Sequence, residues 1–339
     1  MISYSTDGIY FSPPQVFQDS SGVPSIAATG TGGLITAFQW FPAPMHGHHW
    51  DSVAVKFSQD DGLTWSSPAP IIVTGMPTGF QRPFDPAITV LENGMYRLYF
   101  SSGIPPSSGA DSTIDTYSAI SSDGIHYQFE PGARVNNPVK KMIDPTVIKF
   151  KGLWHYIAPI GAPQEGAYHY ISNDGLNFQI TPNIPSDPVH NWTGNLMIEN
   201  SNEMRFYGCG PWIWFSATPD GGQWLTPVNT NIQGGDPAVI KNSSGNYLMI
   251  YVGFTLLSLN DKNHPLCRSI LYPNPVTNEL FIECRDIMKI DIYDISWKLL
   301  LSFTPDSEHI RIPFSGFAKG LYFVHLIYHN YSEIRKIIR

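Results

Sequence analysis

One short turn recurs five times before residue 225 and narrows the choice of fold more than any other feature of the chain. Its form is Ser/Thr-x-Asp-Gly-x-x-aromatic. The first copy runs from Ser5-Thr6-Asp7-Gly8 to Phe11, and the second from Ser58 through Asp60-Asp61-Gly62 to Trp65. Ser121-Ser122-Asp123-Gly124 ends in Tyr127, Ser172-Asn173-Asp174-Gly175 in Phe178, and Thr218-Pro219-Asp220-Gly221 in Trp224. The glycine supplies a positive φ, the Asp side chain bonds nearby amides, and the aromatic ring packs inward. One such turn closes a hairpin. Five glycines at 8, 62, 124, 175 and 221 imply a radial array of small sheets.

A second motif runs out of phase with the first. Asp85-Pro86-Ala87-Ile88, Asp144-Pro145-Thr146-Val147 and Asp236-Pro237-Ala238-Val239 each open a strand. Val23-Pro24 fills the slot without an acid, and Trp192-Thr193-Gly194-Asn195 fills it in the fourth repeat. Alternating runs such as Ser52-Val53-Ala54-Val55-Lys56-Phe57 follow the strand period of two. The last repeat, from Asp236, lacks its Asp turn, whereas the N-terminus begins with one. The first strand is therefore expected to complete the last sheet. The predicted fold is all-β, a five-bladed β-propeller over 1–256 closed by the N-terminal strand. A linker over 257–268 and a small β-sandwich over 269–339 follow.

These residues resemble the five-bladed propellers of the sialidase and glycoside hydrolase 43-like superfamily, which carry Asp-box turns. The resemblance implies a glycan ligand and acidic catalytic residues. Asp144 matches the family's third-blade Asp. The first opener has no acid, and the fourth has Asn195 in place of a Glu, with Glu199 four residues on, so the triad does not carry over as a set. The tail, with Tyr272-Pro273-Asn274-Pro275, Gly320-Leu321-Tyr322-Phe323 and Arg335-Lys336-Ile337-Ile338-Arg339, closely resembles the type A C-terminal sorting domain of the Bacteroidota type IX secretion system. That resemblance implies export to the cell surface or medium, with the type IX machinery as partner through 269–339.

Charge excludes other classes. The 339 residues carry 20 Lys and Arg against 28 Asp and Glu. Of these, 11 basic and 20 acidic residues precede Cys267. So poor a supply of cations gives no footprint for nucleic acid or anionic membrane, and no apolar run is long enough for a membrane helix. No signal peptide is visible at the N-terminus. Cys209 stands alone; Cys267 and Cys284, 17 apart, pair only if the compartment oxidises, and three buried or idle thiols are the plainer expectation.

Strand direction places the openers, and the loops between second and third strands, on one face of the ring. Asp85, Asp144 and Asp236 are expected to meet there. Asp85 and Asp144 are candidates for base and pKa partner, with Asp236 or Glu165 as acid. Substrate contacts are expected from Arg82, Trp40, His48, His49, Trp50, Trp192, Asn195 and Trp212. The propeller's arginines, Arg82, Arg97, Arg134 and Arg205, do not supply the clamp a sialic acid needs, so a neutral glycan is expected. No cofactor is expected; the ring axis leaves room for a structural cation without requiring one. The leading function is glycoside hydrolysis. A glycan-binding or adhesin propeller without catalysis is the alternative, and a metal-dependent enzyme using His46, His48 and His49 is the third.

Overall fold

The computed structural model describes residues 1–30, 32–105, 113–253, 269–283, 287–295, 298–328 and 332–339. Among these the structure is strand and loop, with one short 3-10 turn at Pro163–Glu165. Two compact units divide the chain, Met1–Thr255 and Leu256–Arg339. Cys209 is a free thiol. Cys267 and Cys284 lie outside the described residues.

Five sheets follow one another along the first unit. The first holds Ser21–Ala28, Leu34–Trp40, Ser52–Ser58 and Ala69–Pro70. The second holds Phe84–Val90, Tyr96–Gly103, Ile114–Ser121 and His126–Val135, with Ile72–Thr74 added in parallel at its outer edge. Thr146–Phe150, Leu153–Pro159, Ala167–Ser172 and Gln179–Ile180 form the third. Asn191–Asn200, Glu203–Cys209, Trp214–Thr218 and Val228–Asn229 form the fourth. In the fifth, Gly235–Lys241 and Tyr247–Val252 are joined by Ile2–Ser5, with Ile2 opposite Ile250 and Ser5 opposite Tyr247. Gln15 then bridges back to Ile2 beyond the first Asp turn. The chain's first strand thus occupies the third position of its last sheet.

The opening strand of each sheet neighbours that of the next, and the fifth neighbours the first. Apolar side chains fill each gap. Ile35 and Val55 meet Leu98 and Phe100 between the first two sheets. Tyr99 meets Trp154 and Tyr156 in the next gap, and Ile157 meets Trp192 and Trp214 in the third. Tyr207 and Phe215 pack with Met249 and Tyr251, while Leu248 and Ile250 pack with Leu34 and Phe38. Strand alternation presents these residues to both faces, and burying each large one contributes about 2–3 kcal/mol.

The Asp turns explain the hairpins between these layers. In each, the Ser or Thr side-chain oxygen accepts the N–H of the turn glycine at 2.9–3.0 Å. The Asp accepts amides further on, as Asp123 does from Ile125 and His126 at 2.8 Å. These bonds hold the carboxyls of Asp7, Asp60, Asp123, Asp174 and Asp220 below the usual range. The second copy has one extra residue. Asp60 holds the turn, while Asp61, next to the glycine, receives the N–H and hydroxyl of Ser243 instead.

The second unit has two sheets around one core. Ile270–Tyr272, Glu279–Glu283 and His309–Pro313 form one. Leu299–Phe303, Ile287–Tyr293, Leu321–Tyr328 and Ser332–Ile338 form the other. Leu280, Ile282, Ile290, Ile292, Ile312, Val324 and Leu326 fill the space between them. No helix among the described residues is long and apolar enough to cross a membrane.

Candidate active site

The strand openers share an unusual backbone. Val23, Asp85, Asp144 and Asp236 have φ of 44°, 49°, 51° and 45°. Each precedes a proline, which bars the right-handed helical region, and Asp is among the few side chains that tolerate the left-handed one. The pairing register slips at the openers of the first, second, fourth and fifth sheets, between Gly22 and Ser25, Phe84 and Ala87, Asn191 and Gly194, and Gly235 and Ala238. Such bulges re-aim side chains.

The three opener aspartates lie within electrostatic reach of one another. The N–H of Asp144 donates to Asp85 Oδ2 at 3.3 Å. Each carboxyl is half-buried. Burial pushes Asp85 up to about 6, with the charges of Asp236 and Asp51 pushing the same way against the N–H of Asp144. Asp144 is raised well above the carboxylate range by burial and by its neighbours Asp85 and Asp236, while Lys141 opposes. Burial raises Asp236 too, against an N–H donated by Val23. Asp85 and Asp144 therefore titrate as a pair that retains a proton where an isolated aspartate has lost it.

Asn195 joins the same centre. Its Nδ2 donates to the carbonyls of Pro24, at 2.9 Å, and Pro237, at 3.3 Å. These bonds tie the fourth sheet's opener to the first and fifth. Cys209, at the end of the fourth sheet's second strand, is raised to about 11 by burial and by the charges of Asp236 and Asp144, which keeps it a neutral thiol.

The rim is mixed. His48, His49 and Arg82 are exposed, Trp50 and Trp40 are half-buried, and Trp212 keeps 40% of its surface open. Arg82 Nη1 donates to the carbonyls of His48 and Trp50 at 3.3 and 3.2 Å, so it pins the loop. Trp40 packs in part against the core between the fifth and first sheets. In the loop Ser102 to Asp115, residues 106–112 lie outside the described ones.

Trp192 does not reach the rim. It is 4% exposed, with its ring 4.7 Å from Phe206 and 5.2 Å from Trp214 and Trp224. Strand pleat directs it into the gap between sheets, so it has no face for a sugar. Glu165 is exposed, paired with Lys140 at 2.8 Å and bonded by the N–H of Ala162. Those partners hold its carboxyl low, opposite to what a proton donor needs. Glu199 is bound up with Lys241, Arg205 and the hydroxyl of Tyr247, between the fourth and fifth sheets. The rings of His48 and His49 stand edge-on at 4.5 Å, and His46 lies against Trp50. No group of three or more His, Cys, Asp or Glu able to hold a metal ion forms among the described residues. That applies to the histidine loop and to the opener aspartates alike.

Sequence reasoning passed over Gln39 and Ser101. Gln39 pairs with Gly22, and Ser101 with Phe84, each one residue before an opener. Counting back along the second strand of each sheet places both beside the openers.

Residues 270–339 match the model of a secretion system C-terminal sorting domain, which implies secretion or cell-surface attachment. No curated protein matches the chain. Among solved structures, the GH32 beta-fructofuranosidase BmSUC1 of Bombyx mori aligns at TM-score 0.53 and 13% identity, over 99% of this chain and 88% of that one. A family 117 glycoside hydrolase of Zobellia galactanivorans aligns at TM-score 0.51 and 15% identity, over 71% and 78%. The chain spans 52% of a Hadza microbial sialidase, at TM-score 0.42 and 12% identity over 68% of this chain. At these identities the likeness is one of fold: the chain is all-β, and the solved β-fructofuranosidase and family 117 hydrolase are similar to it in fold.

Proposed function

We propose that the protein is an exported glycoside hydrolase acting on a neutral glycan. On this reading the five sheets are the blades of a propeller, closed by Ile2–Ser5 and stapled by Asp-box turns. The second unit engages the type IX secretion machinery of a Bacteroidota cell. One observation carries the enzymatic part: Asp85, Asp144 and Asp236 meet half-buried at the strand openings with their carboxyls all raised. Glycoside cleavage needs a carboxylic acid still protonated near neutral pH to protonate the leaving oxygen. The Asp85–Asp144 pair holds such a proton, and the charge of Asp236 helps to keep it there. A raised carboxyl suits a proton donor better than a base, so Asp85 moves from the base role to the donor role. Trp50, Trp212 and the exposed histidines offer apolar faces and hydrogen bonds to sugar rings, and four scattered arginines favour an uncharged substrate.

A glycan-binding propeller without turnover is the second reading. The amides that Asp85 and Asp236 accept from neighbouring openers favour it, because they give both side chains a structural task. A panel of neutral oligosaccharides, scored for released and for bound sugar, separates the two. Hydrolysis requires release by the wild-type protein, with Asp85→Asn and Asp144→Asn binding the same sugar without releasing it. Bound sugar with no release by the wild type leaves the binding reading.

A further inference from the structure

The first sheet brings no acid to the centre from its opener, Val23, yet it brings one from another place. Asp51 ends the loop joining the second and third strands of that sheet, at φ 58° and exposed to solvent. Two fixtures aim it. Gln39 is 4% exposed, and its Nε2 donates to Asp51 Oδ1 at 2.7 Å. The other end of that amide, Oε1, is buried without a partner. A buried amide left half-satisfied costs about 1–3 kcal/mol, a cost tolerated here beside the residue it orients. Arg82 grips the carbonyls of His48 and Trp50, and so ties the residue before Asp51 to the segment that leads into Asp85 three residues later. The charge of Asp51 reaches the Asp85 carboxyl.

A pair of carboxyls divides the work of glycoside hydrolysis: one gives a proton and the other, ionised, draws one from water. Asp85 and Asp144 share a retained proton, and Asp236 is engaged by the N–H of Val23, which leaves the second task to another carboxylate. Asp51 is open to solvent and held in place by Gln39, so it can meet a water at the mouth of the same centre. We propose that Asp51 is the carboxylate that activates the attacking water while Asp85 protonates the leaving oxygen, and that Gln39 is the positioning residue that aims Asp51.

The glycosidic C–O bond breaks as the proton of Asp85 passes to the leaving oxygen. The oxygen of water bonds to the anomeric carbon, and its proton passes to Asp51. Solvent exchange then returns Asp51 to its ionised form and Asp85 to its protonated form, with one water consumed per bond. This assignment rests on the hydrolase reading.

Leaving-group dependence tests it. The wild-type protein, Asp85→Asn, Asp51→Asn and Asp51→Ala are assayed on neutral-sugar 4-nitrophenyl glycosides, on the matching 2,4-dinitrophenyl glycosides, and on the oligosaccharide. A dinitrophenolate leaves without a proton, so Asp85→Asn keeps most of its activity on that substrate and loses 100-fold or more on the oligosaccharide. Asp51→Asn loses 100-fold or more on all three, because water must be activated whatever leaves. Formate at high concentration restores Asp51→Ala at least tenfold. Gln39→Leu lowers kcat with KM unchanged and is partly restored by formate. Asn tolerates the φ of 58° and keeps an oxygen for Gln39, so Asp51→Asn melts within about 1–2 °C of wild type, whereas Asp51→Ala strands the buried Gln39 amide and melts several degrees lower while staying folded at assay temperature. Asp51→Asn turning over within threefold of wild type, losing activity only with the poor leaving group, or a folded Asp51→Ala that formate does not restore, each overturns the assignment while hydrolysis stands. A wild-type protein that cleaves none of the substrates overturns the hydrolase reading and this assignment together.

Discussion

The hydroxyl of Tyr207 donates to the carbonyl oxygen of Gly8 at 3.1 Å, a bond between residues 199 positions apart. It ties the fourth sheet to the Asp turn that follows the chain's first strand. Tyr99 does the same for Gly175 at 2.8 Å, and Tyr4 for Gly62 at 3.0 Å. Three Asp turns are thus each clasped by a tyrosine of the neighbouring sheet. Tyr207 is fully buried, so Tyr207→Phe strands the Gly8 carbonyl and is expected to cost about 1–2 kcal/mol in urea unfolding. Glycan turnover stays at the wild-type level.

Gly175 has φ 71°, and a Cβ there would lie 2.8 Å from the Tyr99 hydroxyl and 3.0 Å from Trp154. Gly94 has φ 80° and open space around the same atom. Gly94→Ala is expected to cost about 1 kcal/mol, the backbone conformation alone. Gly175→Ala adds a clash with a buried hydroxyl and an indole, for about 3 kcal/mol in all. Paired thermal melts separate the two costs.

Asp85 gives a pH signature. Its carboxyl is raised to about 6, so the folded state binds its proton more tightly than the unfolded one. The stability it contributes is full below about pH 4 and is lost as pH rises through about 6. Asn copies the protonated form. Asp85→Asn is therefore expected to melt about 2–4 °C above wild type at pH 7, with the gap closing by pH 4. Asp123 and Asp174, held low by amides, have the opposite sign: their contribution is present above about pH 4 and fades below it. A gap that does not change with pH contradicts the raised carboxyl.

Two tryptophans separate packing from binding. Trp192→Ala empties a site walled by Phe206, Trp214 and Trp224, and is expected to cost about 3–5 kcal/mol. Trp212 stands at the rim with 40% of its surface open, so Trp212→Ala leaves stability within about 0.5 kcal/mol and weakens sugar binding. Differential scanning calorimetry with sugar titration reads both effects.

Chain order carried a large part of this structure. Repeated Ser-x-Asp-Gly turns and Asp-Pro openers follow from local chemistry: a glycine φ, an oxygen that accepts nearby amides, a proline that restricts its predecessor. The same local rules placed the strands of the tail, and the count of repeats, with an Asp turn missing at one end and present at the other, paired Ile2–Ser5 with the last sheet. What each side chain faces was settled only by tertiary contacts. Trp192 and Asn195 lie three positions apart in one strand, yet one fills a gap between sheets and the other bonds the carbonyls of Pro24 and Pro237. Glu165 is neutralised by Lys140, 25 residues earlier, and Asp51 is aimed by Gln39, 12 residues earlier. The physical reason is range. A turn is decided by atoms within a few bonds of one another, whereas a carboxyl's proton depends on burial and on charges brought up from separate sheets, which no stretch of chain contains until the sheets have packed.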